Sequence, residues 1–374
     1  MNLRQKIEEE IGRRGPLPFS RYMEMCLYDP EMGYYASHAQ QFGKAGDFYT
    51  SSDVHAVFGR LLARQFEEIW RALGSPPALQ VVELGPGRGL FAQDVLDWSE
   101  KKFSAFFRAL RYLLVEASPS LRKRLAETIA RRVDTGKARI CSALEELADP
   151  LSSPAIIFAN EFFDALPVEV ISYAGELRVG CAHGRFVETF TPPSAAAEEY
   201  LDRYSVHPEP GERVEAALTA QQYMRKIARR LPSGFVIVID YGFTREEQLA
   251  GRHRGTVTAF RRHSISPSPY DAPGEQDITA HVNFSALRSA GEEAGLQASA
   301  LLTQAQFLMG IAEANQFGDA FEDTRLPQER AKVALQLKHL VTPAGMGESF
   351  HVLVMSKGVE APKVLQLSGM KFAR

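Results

Sequence analysis

Apolar residues recur at helical spacing over residues 2–14 (Leu3, Ile7, Ile11), and Pro16 and Pro18 close that segment. A second short helix is predicted over residues 20–27, stopped by Asp29-Pro30. Residues 33–52 show no period but carry five aromatics. A loop of this length is functional or disordered. The aromatics argue against disorder, so the stretch reads as a ligand lid or as a surface loop pinned by its rings. Residues 54–73 then form a strongly amphipathic helix (Val57, Leu61, Leu62, Phe66, Ile69, Trp70) that ends at Gly74.

From Leu79 onward short apolar runs alternate with helical segments, the pattern of a parallel sheet covered on both faces. Strands are predicted at 79–84, 112–116, 138–141, 155–159 and 235–240, with helices at 90–96, 121–133 and 144–147. Residues 168–190 alternate between turn signals at Ala174-Gly175 and His183-Gly184, which predicts antiparallel strands beside the fourth strand. A surface connection over 191–210 and one long helix over 212–231 lead into the fifth strand. Residues 245–277 are polar and aperiodic, a second candidate lid. Helices at 284–293, 306–318 and 328–340 and strands at 296–302 and 350–355 complete the chain. The fold class is α/β, a doubly wound Rossmann-like sheet. It has a helical N-terminal cap and lid (1–77), a core (78–244), a helix and loop insertion with one core strand (245–345), and a last strand and tail (346–374).

Composition narrows the function classes. A net charge of −3 supplies no basic field for nucleic acid. Three widely spaced cysteines, Cys26, Cys141 and Cys181, suit neither a disulfide framework nor a zinc site, so no metal is expected. No apolar run approaches the roughly 20 residues that span a bilayer. The N-terminal MNLRQKIEEEIGRRG mixes acids with bases and has no apolar stretch, which predicts a cytoplasmic, bacterial protein.

The chemistry gathers at predicted strand ends, where ligands of doubly wound sheets bind. The first strand runs through Glu83 into Gly85, Pro86, Gly87, Arg88 and Gly89. Glycines there let the backbone turn tightly and let a ligand approach closely. The spacing fits neither the nicotinamide fingerprint nor a phosphate-binding P-loop. Instead Glu-x-Gly-x-Gly-x-Gly resembles motif I of class I S-adenosylmethionine-dependent methyltransferases. Glu116, ending the second strand, would accept both hydroxyls of a ribose. Leu144 and Ser142 would flank an adenine, although Ser142 capping a helix with Glu145 explains the same pattern. The fourth strand exits through Asn160, Glu161 and Asp164, and the fifth through Asp240. Glu161 and Asp164 read as receivers of a cationic acceptor, and Asp240 as a proton acceptor or support. Acids decorating a helix start remain the plainer reading.

The segments GYY (33–35), GKAGDFYTS (43–51), VELGPGRG (82–89), LVEASPSLR (114–122), ANEFFDALPVEV (159–170), DYG (240–242), GEQDITAHVNF (274–284) and GMGESFHVLVMSKG (345–358) together resemble the MidA family, a group of class I methyltransferase-fold proteins. The resemblance runs from about residue 15 to 358. It implies S-adenosyl-L-methionine as methyl donor and S-adenosyl-L-homocysteine as product. From the mitochondrial branch it implies a protein substrate, with symmetric dimethylation of an arginine in a respiratory complex I subunit. On this reading Tyr34, with Tyr35 and Tyr49, excludes water at the methionine part of the cofactor. Asp47 or Glu83 meets its ammonium, and Thr50, Ser51 and Asn160 complete the cofactor side. The chain departs from the family at Ser52, Arg60, Thr258 and Phe260, near the expected acceptor side. Those departures leave open a small-molecule O- or N-methyltransferase, or an assembly factor that keeps the fold without chemistry. The oligomeric state is not legible.

Overall fold

Runs of aliphatic and aromatic residues with no polar face build the central sheet. Its strands are β1 (Leu79–Leu84), β2 (Leu110–Val115), β3 (Ala138–Cys141), β4 (Ala155–Asn160), β5 (Gly234–Phe243), β6 (Gln297–Thr303) and β7 (Phe350–Lys357). The structure is a computed structural model that describes residues 2–37, 56–249, 255–261 and 264–373. Across the sheet the order is β6-β7-β5-β4-β1-β2-β3. β1 to β5 run parallel, and β7 enters antiparallel between β5 and β6. β5 extends past its predicted end because β7 stays paired to it through Tyr241 and Val282 then pairs with Gly242.

Both sheet faces are buried, which explains the unbroken apolar runs. In β5, Phe235, Ile237 and Ile239 enter the core under helices Ala56–Ala72, Leu90–Lys102 and Gln304–Glu313. Val236 and Val238 enter the opposite core, under Ala195–Tyr204, Leu218–Arg230 and Phe284–Glu293. A third core joins helices Leu3–Arg14 and Phe19–Tyr28 to a small antiparallel sheet.

That small sheet corrects one expectation. Glu169–Ser172, Gly175–Ala182 and Arg185–Thr191 are antiparallel strands, but they do not join β4. Both edges of β4 are already taken, by β1 and β5, so the chain must leave the sheet. The departing strands pair with each other, with Leu17–Pro18 and with Arg213–Ala216. This pairing also splits the long helix expected over 212–231 into a strand and helix Leu218–Arg230. Ser194 caps a helix, Ala195–Tyr204, inside the expected surface connection. Part of the second candidate lid is ordered strand: Thr258–Arg261 pairs with Ser264–Ser266 and with Asp277–Thr279. Among the described residues no helix is long and apolar enough to cross a membrane.

One acid sits within β1 itself. Glu83 is buried and accepts a 2.9 Å hydrogen bond from the Tyr112 hydroxyl of β2. Burial pushes its carboxyl up to about 8. Between the unfolded value and about 8 the native state holds a proton that the unfolded chain has released. Its contribution to stability is therefore complete below the unfolded value and is lost as pH rises toward about 8. Glu83→Gln keeps the shape of the protonated acid. Thermal melts from about pH 5 to pH 8 are expected to fall less steeply for this variant than for wild type; parallel curves would mean that Glu83 is ionised throughout.

Candidate functional site

The chain steps from β1 to β2 to β3 in one direction, then returns to the other side of β1 as β4. Loops leaving β1 and β4 therefore diverge and open a crevice at their carboxyl ends. The loop after β1 has three glycines at positive φ, each with a separate task. A Cβ on Gly85 (φ +62°) would lie 2.9 Å from the Phe162 ring, and one on Gly89 (φ +80°) 2.3 Å from Leu125. Those two allow close packing. At Gly87 (φ +53°) a Cβ would meet nothing within 4 Å, because the residue borders open space.

Glu116 follows β2 and faces that loop. Its Oε2 accepts from the Gly87 N–H at 3.1 Å and its Oε1 from the Ser118 N–H at 2.9 Å. These bonds favour the ionised form, but burial outweighs them and lifts the carboxyl to about 7. Ser118 in turn donates its hydroxyl to the Tyr35 carbonyl at 2.7 Å, tying the N-terminal cap to this strand end.

The exit of β4 is the most constrained part of the site. Glu161 has φ +51°, a left-handed conformation that costs a non-glycine residue of the order of 1 kcal/mol. Its N–H still bonds the Ile239 carbonyl of β5 at 2.9 Å. The turn that follows is held by Asp240, which is fully buried. Its Oδ2 accepts from the N–H groups of Phe162, Phe163 and Asp164 at 3.2, 3.0 and 3.3 Å, and its Oδ1 from Tyr241 at 3.0 Å. Burial, with the carboxylates of Asp164 and Glu161 close by, drives the Asp240 carboxyl upward against those donors. Asp164 accepts the Tyr241 hydroxyl at 2.6 Å on Oδ2, while its Oδ1 is buried with no hydrogen-bond partner among the described residues. Burial lifts this carboxyl to about 6.

These loops enclose a cavity of about 330 Å3. Gly85, Pro86, Gly87, Arg88, Glu116, Ser142 and Leu144 line one part, and Asn160, Glu161, Phe162 and Asp164 another. Tyr28, Tyr35, Tyr223 and Asp277 also line it, together with Glu145 and several apolar side chains. Tyr28 donates to the Ala165 carbonyl at 2.9 Å and Tyr35 to Asp277 Oδ1 at 3.2 Å, with the two rings 5.4 Å apart. Tyr223 packs its ring 5.1 Å from that of Phe162.

The cavity therefore brings together Gly85, Pro86, Gly87, Glu116, Ser142, Leu144, Asn160, Glu161 and Asp164 from the residues expected on sequence. Four others sit behind it. Glu83 turns to Tyr112, and Gly89 packs on Leu125. Asp240 holds backbone rather than facing the cavity, as its four N–H bonds require. Tyr34 is buried in the cap core, whereas Tyr35, expected with it, lines the cavity together with Tyr28. Ser142 bonds Glu146, not Glu145, through both its N–H and its hydroxyl, because the turn there is a single 3-10 turn beginning at Leu144. Asp47, Thr50, Ser51 and Ser52 lie outside the described residues. Arg60 lies on helix Ala56–Ala72, paired with Asp323 at 3.1 Å and stacked over Trp98; it is not among the lining residues. Sequence reasoning missed Tyr28, Tyr223 and Asp277. For Asp277 the available signal was its place in the quoted segment GEQDITAHVNF; Tyr28 fell just past the predicted helix 20–27, and Tyr223 read only as a helix residue.

The open space at Gly87, the oxygens Asn160 Oδ1 and Asp164 Oδ1, which have no partner among the described residues, and buried Glu116 fit a polar nucleoside with a second, cationic group beside it. Comparisons with known proteins agree. The profile of the family described as "Putative S-adenosyl-L-methionine-dependent methyltransferase" matches residues 61–302. A Drosophila melanogaster protein named protein arginine methyltransferase NDUFAF7 homolog, mitochondrial, is 29% identical over 96% of this chain and 86% of its own. The Danio rerio protein arginine methyltransferase NDUFAF7, mitochondrial, is 30% identical over 92% and 84%. A Burkholderia thailandensis protein solved with bound S-adenosyl-homocysteine is 31% identical, with a TM-score of 0.85 over 100% of this chain and 94% of its own. With a crevice built for a nucleoside and a profile match over most of its length, this chain belongs to that family of S-adenosyl-L-methionine-dependent methyltransferases.

Proposed function

We propose that this protein methylates an arginine side chain of a protein. The observation that carries the reading is the β4 exit, where Glu161 and Asp164 line one cavity and Asp164 keeps a buried oxygen without a partner among the described residues. A carboxylate held this way is stabilised by an arriving cation, and a guanidinium offers paired N–H donors that match carboxylate geometry. The names of the mitochondrial relatives support the same acceptor. The symmetric dimethyl product and a respiratory complex I subunit as acceptor, both implied by the family resemblance, are part of this proposal.

The cofactor, when bound, supplies an electrophilic methyl group on a sulfonium. Glu116 would hold its ribose, Leu144 its base, and the backbone of Gly85–Gly87 its methionine part, with Asn160 beside it. Ser142 lines the base region, although its hydroxyl is already engaged by Glu146. Glu161 and Asp164 would hold one edge of the guanidinium, so that the opposite nitrogen carries more electron density and points away from them. Tyr241 keeps the Asp164 carboxyl oriented through its 2.6 Å hydrogen bond. Asp240 keeps both acids in place through the backbone. Most of the rate gain on this scheme comes from fixed orientation of the reacting pair.

The direct test is to incubate the protein with methyl-labelled cofactor and cell extract, then hydrolyse labelled protein to amino acids. Recovery of symmetric dimethylarginine is expected; label only in small molecules, or only as protein methyl esters, would overturn the reading. Gly87→Val would place a branched side chain in the open space beside Glu116, and calorimetry is expected to show no measurable S-adenosyl-homocysteine binding. Glu161→Gln and Asp164→Asn are expected to lower kcat/KM for the acceptor by about 100-fold, the scale of truncating a buried charge pair, while cofactor affinity stays within a few-fold. A pH series provides a separate measurement. Capture of a cation needs Asp164 ionised, and burial lifts that group to about 6. The acceptor kcat/KM is expected to rise as pH passes upward through about 6 and then level, and Asp164→Asn should lack that limb.

A further inference from the structure

The mechanism above uses two carboxylates at the acceptor end of the cavity. A third, Asp277, belongs to neither β4 nor β5. It comes from the strand Asp277–Thr279 in the insertion after β5, and it is buried in the cavity wall. One contact joins its strand to the acceptor end: the N–H of Ala280, just past that strand, bonds the Asp164 carbonyl at 2.9 Å, while the Tyr35 hydroxyl holds Asp277 Oδ1 at 3.2 Å. The Tyr28 and Tyr35 hydroxyls are pushed up chiefly by burial and then by the fields of Asp164 and Asp277 together, so both tyrosines feel both acids.

Charge gives these contacts a purpose. Among the described lining residues the only guanidinium is Arg88, on the glycine loop, whereas Glu116, Glu145, Glu161, Asp164 and Asp277 are all carboxylates, and Tyr28 and Tyr35 add two rings. An arginine acceptor brings a second positive charge close to the sulfonium, and like charges in a low-dielectric cavity repel strongly. Glu161 and Asp164 offset one cation. A third carboxylate offsets the other, and the tyrosine faces add cation–π attraction. Asp164 is itself more than nine-tenths buried, and its Oδ1, without a partner among the described residues, suits a ligand that donates.

We propose that Asp277 is a specificity-determining residue that makes the acceptor pocket select a cationic guanidinium over a neutral group of the same shape. This rests on the arginine reading above. It also gives a physical setting for two family departures. Phe260 pairs directly with Asp277 in the separate three-stranded sheet of Thr258–Arg261, Ser264–Ser266 and Asp277–Thr279, and Thr258 pairs with Thr279. Residues directly opposite in an antiparallel pair share a face. The departures at Phe260 and Thr258 therefore sit on the strand paired with the one that carries the charge selector.

The probes are N-acetyl-arginine amide and N-acetyl-citrulline amide, which differ in charge and hardly in shape. Their affinities are measured by ligand-detected NMR on the full chain saturated with S-adenosyl-homocysteine. Wild type is expected to favour the arginine amide by at least about 30-fold. Asp277→Asn should weaken the arginine amide by at least about 10-fold, leave the citrulline amide within two-fold, and keep S-adenosyl-homocysteine affinity by calorimetry within two- to three-fold. Tyr35→Phe, which removes the hydroxyl that orients Oδ1 but keeps the charge, should weaken the arginine amide by about 3-fold. If Asp277→Asn fails to hold S-adenosyl-homocysteine, Asp277→Ser, which removes the charge with a smaller polar side chain, decides. Wild type preferring arginine while the deciding variant keeps that preference unchanged would overturn the role of Asp277 alone. Wild type holding the two amides equally would overturn the arginine reading itself.

Discussion

The site depends on one buried carboxyl that never faces it. Asp240 takes the N–H groups of three consecutive residues on Oδ2 and a fourth on Oδ1. β4 cannot continue or widen the sheet, since β1 and β5 flank it, so its chain must turn sharply with Glu161 in the left-handed region. Such a turn strips the next three N–H groups of strand partners. Each one buried and unmet costs about 1–3 kcal/mol, and together they would consume a large share of a stability of about 5–15 kcal/mol. The neighbouring strand supplies a single acceptor at the right height and removes the penalty.

That clamp has a chemical consequence. It commits Glu161 and Asp164 to the cavity wall, where burial raises Asp164 to about 6 and, across the glycine loop, Glu116 to about 7. Concentrating acids in a dry crevice is unfavourable by itself. It becomes favourable when the ligands are cations, as a sulfonium and the proposed guanidinium would be. Tyr241, Tyr28 and Tyr35 stabilise the arrangement between those events by donating to Asp164, to the Ala165 carbonyl and to Asp277.

Much of this was legible in sequence because it is local. The apolar runs of β1 and β3 gave their bounds directly, and the glycine loop with Glu116 lies where strand ends predict. Failures cluster where a partner distant in sequence decides. Residues 212–231 read as one helix until Glu169–Ser172 pairs with their first part. Tyr34 and Tyr35 are indistinguishable in sequence, and only the packing of the cap sends one into the core and the other to Asp277. Arg60 looked like an acceptor-side departure, yet its helix carries it to Asp323 and Trp98, and it does not line the cavity.

By itself the sequence determined the α/β class, the glycine-rich turn and the list of acids at strand ends. Those follow from residue type and from periods of two and 3.6 along the chain. Only the tertiary structure decided which acids face the ligand. Glu83, Glu116, Asp164 and Asp240 are all carboxylates at or near strand ends, but neighbouring strands claim the first and last for a tyrosine and a row of backbone amides. The tertiary structure also brought Asp277, 113 residues beyond Asp164 by the numbering (277 − 164), into the same wall. A side chain's role is set by what its neighbours have left unsatisfied, and neighbours are chosen by packing.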